Sequence, residues 1–158
     1  MSLKLSKVLV TGGAGFIGSH LVDRLMIDEK NVTVFDNLSN GNLKNLERWL
    51  GNERFRFIKG DLKNPKDIEK AVEGNELVFH LAANPEVRVG ETNPSTHFQE
   101  NLVATFNLLE AMRRCVSAKT FVFFSTSTVY GEAEILPTPE DYGPSIPIST
   151  YGASKLGC

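Results

Sequence analysis

The residues best suited to chemistry are Tyr151 and Lys155, close to the C-terminal end of the sequence. Residues four apart lie on the same face of an α-helix, so the phenol and the ammonium would be within reach of one another. A neighbouring ammonium stabilises the phenolate, which increases the fraction of the tyrosine that can accept a proton. The pair therefore predicts a proton-transfer site on a helix.

A second group of residues lies near the N-terminus, where an apolar segment at residues 8–10 leads into a glycine-rich turn. Gly12 and Gly13 permit a tight turn, Gly15 lets the backbone approach a pyrophosphate, and Gly18 lets a helix pack closely on a sheet. A strand, a glycine turn and a helix start in this order are typical of a dinucleotide-binding site. A plain strand-to-helix turn is the alternative interpretation of the glycines alone.

Asp36 strengthens the dinucleotide interpretation. It ends the second predicted strand, 18 residues after Gly18, near the spacing of about 20 residues expected for a carboxylate that accepts hydrogen bonds from ribose hydroxyls. The same charge would repel a 2′-phosphate, so NAD is favoured over NADP. A strand-end aspartate that caps a loop is the alternative.

Three further strand ends carry candidate contacts. Asp61 follows the third strand, where an adenine ring would lie, although a simple turn residue is nearly as good an interpretation. Small residues follow His80 on the fourth strand and would let a nicotinamide ribose pass close to the backbone, whereas His80 itself is interpreted as a buried structural histidine. Four hydroxyl residues at positions 125–128 end the fifth strand, where they would bind a substrate oxygen or simply finish the strand.

The elements that must position these residues alternate between strand and helix patterns, which indicates a parallel sheet covered by helices. Right-handed crossovers give the strand order 3-2-1-4-5, with ligands at the carboxyl ends of the strands. We expect strands at residues 7–11, 32–35, 54–59, 77–81 and 120–125. We expect helices at residues 15–27, 65–72 and around Tyr151, a short helical piece at 43–50, irregular structure at 84–94, and an extended loop with four prolines at 131–149.

Two of the predicted helices have apolar residues at helical spacing. In the first, Ile17, Leu21 and Leu25 recur every four residues and predict a buried stripe. In the second, the apolar residues mark one face of a long helix: Phe98, Leu102, Phe106, Leu109 and Met112.

Length and composition limit the classes of function. The sequence of 158 residues is the size of one ordinary domain. Its 17 basic and 19 acidic residues form no basic stripe, which argues against nucleic-acid and membrane partners and favours a small molecule. Cys115 and Cys158 give neither a disulfide framework nor paired metal-ligand spacing, so we expect no metal site and a cytoplasmic location. We also expect neither an export leader nor a membrane span.

Together these motifs resemble the extended short-chain dehydrogenases/reductases, in particular the NAD-dependent sugar-nucleotide epimerase/dehydratase family. The resemblance runs through essentially the whole sequence. It is carried by residues 11–20 (TGGAGFIGSH), 36–41 (DNLSNG), 60–62 (GDL), 80–83 (HLAA), 101 (N), 125–131 (STSTVYG) and 151–155 (YGASK). It implies a doubly wound Rossmann-type parallel sheet of the α/β class.

The resemblance also implies a role for each matching residue. Tyr151 would be the catalytic base, Lys155 would hold the nicotinamide ribose and stabilise the phenolate, and Thr126 would occupy the catalytic Ser/Thr position. The implied NAD contacts are Gly12, Gly15, Phe16, Ile17 and Gly18 near the pyrophosphate, Asp36, Asn37, Leu38, Ser39, Asn40 and Gly41 around the adenosine ribose, and Asp61, Leu62, Leu81, Ala82, Ala83, Asn101 and Lys155 in the rest of the pocket.

Within the family the resemblance is greatest to the 4-epimerases that interconvert UDP-glucose and UDP-galactose, which implies a UDP-hexose partner. Such an enzyme transfers hydride from C4 of the hexose to NAD and returns it to the opposite face of the keto sugar. Dehydratases carry Asp-Glu after the catalytic threonine, where this sequence has Ser127 and Thr128, so dehydration is disfavoured. Reductase or decarboxylase chemistry on a nucleotide sugar stays open, as does a non-catalytic NAD-binding sensor.

Members of the family are normally far longer than 158 residues. We therefore expect residues 1–158 to be the NAD-binding Rossmann domain, truncated before the sixth strand, with the substrate-binding part absent and little or no turnover by the chain alone. The expected assemblies are a homodimer through the helix at residues 101–114 or a pairing with a separate C-terminal half.

Overall fold

A five-stranded parallel sheet organises the computed structural model, which describes residues 5–158. Its strands are β1 (Lys7–Thr11), β2 (Asn31–Asp36), β3 (Phe55–Lys59), β4 (Leu77–His80) and β5 (Thr120–Phe123). Their order is β3-β2-β1-β4-β5, which confirms the predicted doubly wound, Rossmann-type sheet. The central strand β1 pairs with both β2 and β4, so that Val8 lies beside Val32 and Leu77.

The described chain consists of two compact units. The first is formed by the residues up to Ala82 together with Asn107–Phe124, and it contains the whole sheet. The second is formed by Ala83–Phe106 together with Ser125–Cys158.

The helices of the first unit are α1 (Phe16–Ile27), a 3₁₀ helix at Leu43–Trp49, and α2 (Pro65–Val72). Pro65 occupies the first turn of α2, as predicted, and the Asn64 side chain accepts a hydrogen bond from the Lys66 amide there. The Trp49 indole donates to Asp23 of α1 over 2.6 Å, which attaches the 3₁₀ helix to α1.

The predicted buried stripe of α1 is wrong at Ile17, whose side chain is 63% exposed. The buried positions are instead Gly18, Ser19, Val22, Leu25 and Met26. The reason is the close approach at Gly18: a side-chain carbon there would collide with the carbonyl of Gly12 and lie 2.8 Å from the Gly13 Cα. The helix therefore turns its glycine toward the turn after β1, and Ile17 is left at the surface.

A continuous helical run fills residues 95–114. It comprises α4 (Ser95–His97), a π-helical segment (Phe98–Val103) and α5 (Ala104–Arg114). The apolar face predicted for this run is mostly at the surface, since Phe98 is 51% and Phe106 62% exposed. Its buried positions include Asn101 and Thr105, and the Thr105 hydroxyl donates to the Asn101 carbonyl over 2.7 Å.

The rest of the second unit is largely irregular. The prediction of irregular structure at residues 84–94 is wrong for the one-turn helix α3 (Val89–Thr92). Residues 131–148 contain no helix or strand, as predicted. Helix α6 (Thr150–Gly157) follows, and its cap Ser149 accepts a hydrogen bond from the Gly152 amide.

Among residues 5–158, no helix combines the length and apolar character needed to cross a membrane.

Gly12→Ala is expected to lower the free energy of unfolding by about 2–5 kcal/mol. Gly12 has φ +70°, which costs an alanine roughly 1–2 kcal/mol, and crowding adds about 1–3 kcal/mol because the new methyl carbon would lie 2.6 Å from the Ala82 amide nitrogen. Urea unfolding followed by circular dichroism and by the fluorescence of Trp49 measures the change.

Gly51→Ala is the matched control for this substitution. Gly51 has φ +86° but no atom within 4 Å of an added methyl group, so only the conformational cost of roughly 1–2 kcal/mol is expected. Equal losses in the two variants would contradict the close packing of the glycine turn against Ala82.

Candidate functional site

The glycine turn in the first unit closes directly on the sheet. The Gly12 amide donates to the Phe35 carbonyl of β2 over 2.9 Å, and the Gly15 amide donates to the Gly12 carbonyl over 3.1 Å. A side-chain carbon at Gly13 would lie 2.7 Å from Val34. These approaches leave no room for larger side chains at Gly12 and Gly13, so the turn requires the glycines for its packing.

The start of α1 offers free backbone donors. Ser19 is the first residue whose amide bonds back into the helix, to the Gly15 carbonyl over 3.0 Å, so the amides of Phe16, Ile17 and Gly18 have no partner within the helix. Gly15 provides no side-chain cap, and the first turn of α1 contains no acidic residue. The positive end of the helix dipole and these amides fit a diphosphate.

Asp36 lies at the end of β2 beside this turn. One oxygen of its carboxylate accepts the Ala14 amide over 2.9 Å and the other accepts the Leu38 amide over 2.8 Å. The residue is only 7% exposed. A carboxylate has about four acceptor positions, so two bonds to the backbone leave capacity for ribose hydroxyls. Asp36 thus caps its loop, and its chemistry also fits the predicted ribose contact.

The segment after Asp36 folds against the glycine turn. The Ala14 carbonyl accepts both the Asn42 amide (3.0 Å) and the Asn45 side-chain amide (2.9 Å), and a side-chain carbon at Gly41 would lie 2.9 Å from the Ala14 Cβ. The predicted contacts Asn37, Ser39 and Asn40 are exposed here and Leu38 is half-buried. The central role of Ala14 escaped the sequence analysis, because it rests on backbone atoms.

The other predicted contacts of the first unit have different surroundings. Asp61 accepts the Lys63 amide over 2.8 Å and pairs with the Lys63 ammonium at 3.6 Å, as a turn residue does, and Leu62 is buried. The Leu81 amide donates to the Thr11 carbonyl over 3.1 Å, and the Ala82 amide lies 3.4 Å from the Thr11 hydroxyl. His80 is buried and contacts the same hydroxyl at 2.6 Å, as expected of a structural histidine.

The second unit contains the residues predicted to be catalytic. Thr126 caps the 3₁₀ helix at Ser127–Tyr130, and its hydroxyl accepts the Thr128 amide over 3.3 Å. The backbone of α6 packs against this helix, since a side-chain carbon at Gly152 would lie 2.6 Å from the Thr128 carbonyl. Tyr151 is half-buried in the first turn of α6. Thr126 and Tyr151 are therefore on two helices that touch.

Asn101 connects three parts of the second unit. Its side-chain carbonyl accepts the Asn84 amide over 2.7 Å, and its side-chain amide donates to the Ser154 hydroxyl of α6 over 3.0 Å. Ala83, also predicted as a cofactor contact, is half-buried just before Asn84. The bonds within the protein give Asn101 a structural position beside α6 in addition to its predicted cofactor contact, which stays a prediction.

Lys155 is the most buried cationic group of the second unit, with 5% of its surface exposed. Burial lowers the pKa of its ammonium, while an electrostatic contribution from Cys158 acts in the opposite direction. Lys155, four residues after Tyr151, is therefore a buried amine.

Within residues 5–158, no group of three or more His, Cys, Asp or Glu side chains is arranged to hold a metal ion.

The sheet topology, the glycine turn and the strand-end carboxylate define a Rossmann-type dinucleotide-binding protein. The family model described as GDP-mannose 4,6 dehydratase matches residues 9–158. The chain belongs to this family, the NAD-dependent epimerases and dehydratases.

Individual relatives differ in the reaction for which they are named. UDP-glucuronic acid decarboxylase 1 of Danio rerio is 40% identical over 136 residues, 86% of this chain and 31% of its own length. A crystal structure of a UDP-galactose 4-epimerase is 48% identical with a TM-score of 0.83, over 95% of this chain and 48% of that one.

A third similar protein is a dTDP-glucose 4,6-dehydratase of Streptomyces venezuelae, a double mutant crystallised with NAD and a second ligand. It is 32% identical with a TM-score of 0.84, over 96% of this chain and 48% of that one. The chain spans less than half the length of each of these three proteins.

The stability contributed by Lys155 is expected to rise with pH. A lysine whose pKa is lowered by folding binds fewer protons in the folded than in the unfolded chain, and stability then increases as pH rises from the folded to the unfolded pKa. The free energy of unfolding of the chain relative to that of Lys155→Met should therefore grow between neutral pH and the ordinary lysine range. Urea unfolding at several pH values measures this difference.

Lys66→Met serves as the control, because Lys66 is exposed in the folded chain. The change of the unfolding free-energy difference with pH should be larger for Lys155→Met than for Lys66→Met over the same pH range. A flat or falling difference for Lys155→Met would contradict the buried, destabilised ammonium.

Proposed function

We propose that the chain is the cofactor-binding part of an NAD-dependent nucleotide-sugar 4-epimerase of the UDP-glucose/UDP-galactose type. The first unit binds NAD and the second contributes the groups that move the proton. The choice of epimerisation over dehydration rests on the 3₁₀ helix after Thr126. This helix contains the hydroxyl groups of Ser127 and Thr128 where water elimination would need a carboxyl group.

The first unit supports NAD as the cofactor. The uncapped amides at Phe16 and Ile17 suit the diphosphate, and the Asp36 carboxylate suits ribose hydroxyls. The negative charge of Asp36 disfavours the 2′-phosphate of NADP. The dehydratase crystallised with NAD is similar to this chain over 96% of its residues, which also supports NAD.

The second unit supports proton transfer during oxidation of a sugar hydroxyl. NAD, when bound, accepts and returns a hydride. Tyr151 takes the hydroxyl proton as the carbonyl forms and gives it back in the reverse step. The ammonium of Lys155, on the same helix, stabilises the phenolate, and the hydroxyl of Thr126 binds the reacting oxygen. No net oxidation results, because the hydride returns to the sugar.

The segment after Thr126 favours epimerisation over dehydration. Loss of water from a sugar requires an acid that protonates the departing hydroxyl and a base that removes a proton. Ser127 and Thr128 have neither function near neutral pH, and the first turn of this helix contains no acidic residue. A reaction that needs only the phenol, the ammonium and a hydroxyl fits this set of groups.

Decarboxylation of a UDP-sugar acid is the second candidate, favoured by the 40% identity to the Danio rerio enzyme. Its substrate carries an additional carboxylate, which a site must balance with positive charge. The second unit contains seven acidic side chains and only two basic ones, Arg88 and Lys155. That charge balance makes a neutral hexose the better fit.

Product analysis tests the choice of reaction. The chain is incubated with NAD and one of three substrates: UDP-galactose deuterated at C4, UDP-glucuronic acid or dTDP-glucose. Longer polypeptides that include the chain are treated in the same way. Epimerisation gives UDP-glucose with the deuterium retained at C4 and no change in mass. Release of carbon dioxide from UDP-glucuronic acid would establish the second candidate, and loss of water from dTDP-glucose would overturn the argument from Ser127 and Thr128.

Asp36→Asn is expected to reduce the preference for NAD over NADP by about fivefold or more, because a like-charge contact with the 2′-phosphate costs about 1–4 kcal/mol. Isothermal titration calorimetry of the purified chain with NAD and NADP measures the ratio of affinities. Asn37→Ala is the control, since Asn37 is exposed and uncharged. Equal affinity of the unmodified chain for both dinucleotides would contradict the assignment of Asp36.

In a longer polypeptide that includes the chain and turns over the UDP-sugar, Tyr151→Phe is expected to lower the turnover rate by about 10²–10⁴-fold, the usual contribution of general acid–base catalysis, and to leave NAD affinity unchanged. Turnover of the UDP-sugar and calorimetry with NAD measure the two effects in the same preparation. Tyr142→Phe is the control, because the Tyr142 hydroxyl only accepts the Glu134 amide in the loop. Unchanged turnover after Tyr151→Phe would favour a different base, and NAD binding without any turnover in every form would favour a sensor.

A further inference from the structure

His97 is a buried histidine for which the proposed reaction assigns no role. It ends α4, and none of its surface is exposed to solvent. Its Nδ1 atom lies 2.8 Å from the hydroxyl of Thr150, the first residue of α6, and its Nε2 atom lies 3.1 Å from the carbonyl of Glu86. The imidazole thus joins the irregular segment after β4 to the start of the helix that contains Tyr151.

The two contacts fix the tautomer of the neutral ring. A carbonyl oxygen can only accept, so Nε2 must be the atom that donates to Glu86. In the neutral ring Nδ1 then has no hydrogen and accepts one from the Thr150 hydroxyl. His97 therefore uses both nitrogens within the protein, as a buried imidazole must.

A second contact between the same two helical segments lies one turn further along. Asn101 and Ser154 each lie four residues after His97 and Thr150, and they form the hydrogen bond of 3.0 Å described above. Asn101 also binds the backbone of Asn84, two residues before Glu86. Two parallel contacts therefore hold α6 against residues 97–101, and each is anchored to the segment at residues 84–86.

His97 also contacts Tyr151 itself. The ring centroids of the two residues are 5.7 Å apart with an interplanar angle of 60°, an edge-to-face arrangement. Gly90 packs against the hydrogen bond between His97 and Thr150, since a side-chain carbon at Gly90 would collide with the Thr150 hydroxyl and lie 3.1 Å from the His97 Nδ1 atom. The imidazole is thus confined between α3, α4 and the first turn of α6.

We propose that His97 is a positioning residue for Tyr151. Its Nε2–H donates to the Glu86 backbone and its Nδ1 contacts the Thr150 hydroxyl, and through these contacts and its ring contact it sets the location of the Tyr151 phenol. The proposal rests on the proposed function, in which this phenol moves the proton. A displacement of about 1 Å in a reacting group costs on the order of 10²-fold in rate, so a fixed phenol matters to turnover.

The tautomer is tested first, on the unmodified chain without NAD or sugar. Long-range ¹H–¹⁵N correlation spectra of the histidine rings, assigned with His20→Gln, His80→Gln and His97→Gln, distinguish the protonated from the unprotonated nitrogen. The expected result is a proton on Nε2, the nitrogen that faces the Glu86 carbonyl. A proton on Nδ1 alone would overturn the proposal.

The positioning role is tested with Thr150→Val and the matched Thr150→Ser, which removes only the methyl group. Tyrosine ring signals are assigned with Tyr151→Phe. Thr150→Val is expected to shift or split the Tyr151 signals and to leave those of Tyr130 and Tyr142 in place, whereas Thr150→Ser should restore the original spectrum. Unshifted Tyr151 signals in Thr150→Val would overturn the proposal. If Thr150→Val does not fold, Thr150→Ala replaces it, because alanine removes the hydroxyl without added apolar bulk.

Turnover separates this proposal from the proposed function. In a polypeptide with measurable turnover, Thr150→Val should lower kcat by about 10–100-fold with KM little changed, and Thr150→Ser should recover most of the rate. Unchanged kcat would overturn the positioning role and leave the function standing. If no form turns over, the proposed function fails, and the ring spectra still decide whether His97 positions Tyr151.

Discussion

The hydrogen bond between the Ala14 amide and the Asp36 carboxylate, 2.9 Å long, is the contact on which the binding surface of the first unit depends. It joins the turn after β1 to the end of β2, and the second carboxylate oxygen holds the Leu38 amide. The carbonyl of Ala14 then fixes the start of the 3₁₀ helix through Asn42 and Asn45. The residue suited to recognise a ribose is therefore also the residue that shapes the loop around it.

The second unit depends on side chains that link backbone to helix. In its irregular segments, polar side chains form hydrogen bonds with backbone groups that have no partner in a helix or sheet; the Asn84 and Glu86 amides, for example, donate to side-chain oxygens. Asn101 and His97 are both buried, and their hydrogen bonds to α6 place Tyr151 and Lys155 on a helix held at two points along its length. Such buried polar contacts cost free energy unless every group is paired, and within the described residues no buried side-chain donor or acceptor lacks a partner.

Periodicity identified the elements better than it identified their faces. The strand at residues 7–11 and the helix at residues 65–72 match the structure at both ends, because a buried central strand and a proline-initiated helix have strong local signals. The apolar spacing of Ile17 gave the wrong buried face for α1, since the packing of Gly18 on the glycine turn, and not the apolar residues, sets the rotation of that helix. Likewise Phe98 and Phe106 are exposed while the polar Asn101 is buried.

The sequence by itself determined the strand order, the dinucleotide-binding motif and the placement of Tyr151 and Lys155 on one helix, because each follows from local chemistry or from spacing within one element. Only the tertiary structure revealed the central role of Ala14 and the contacts of His97 with Glu86 and Thr150. Those contacts join residues up to 53 positions apart, and a backbone carbonyl or a single buried histidine leaves no periodic mark. Packing decided them, since the fold alone brings such groups within bonding distance.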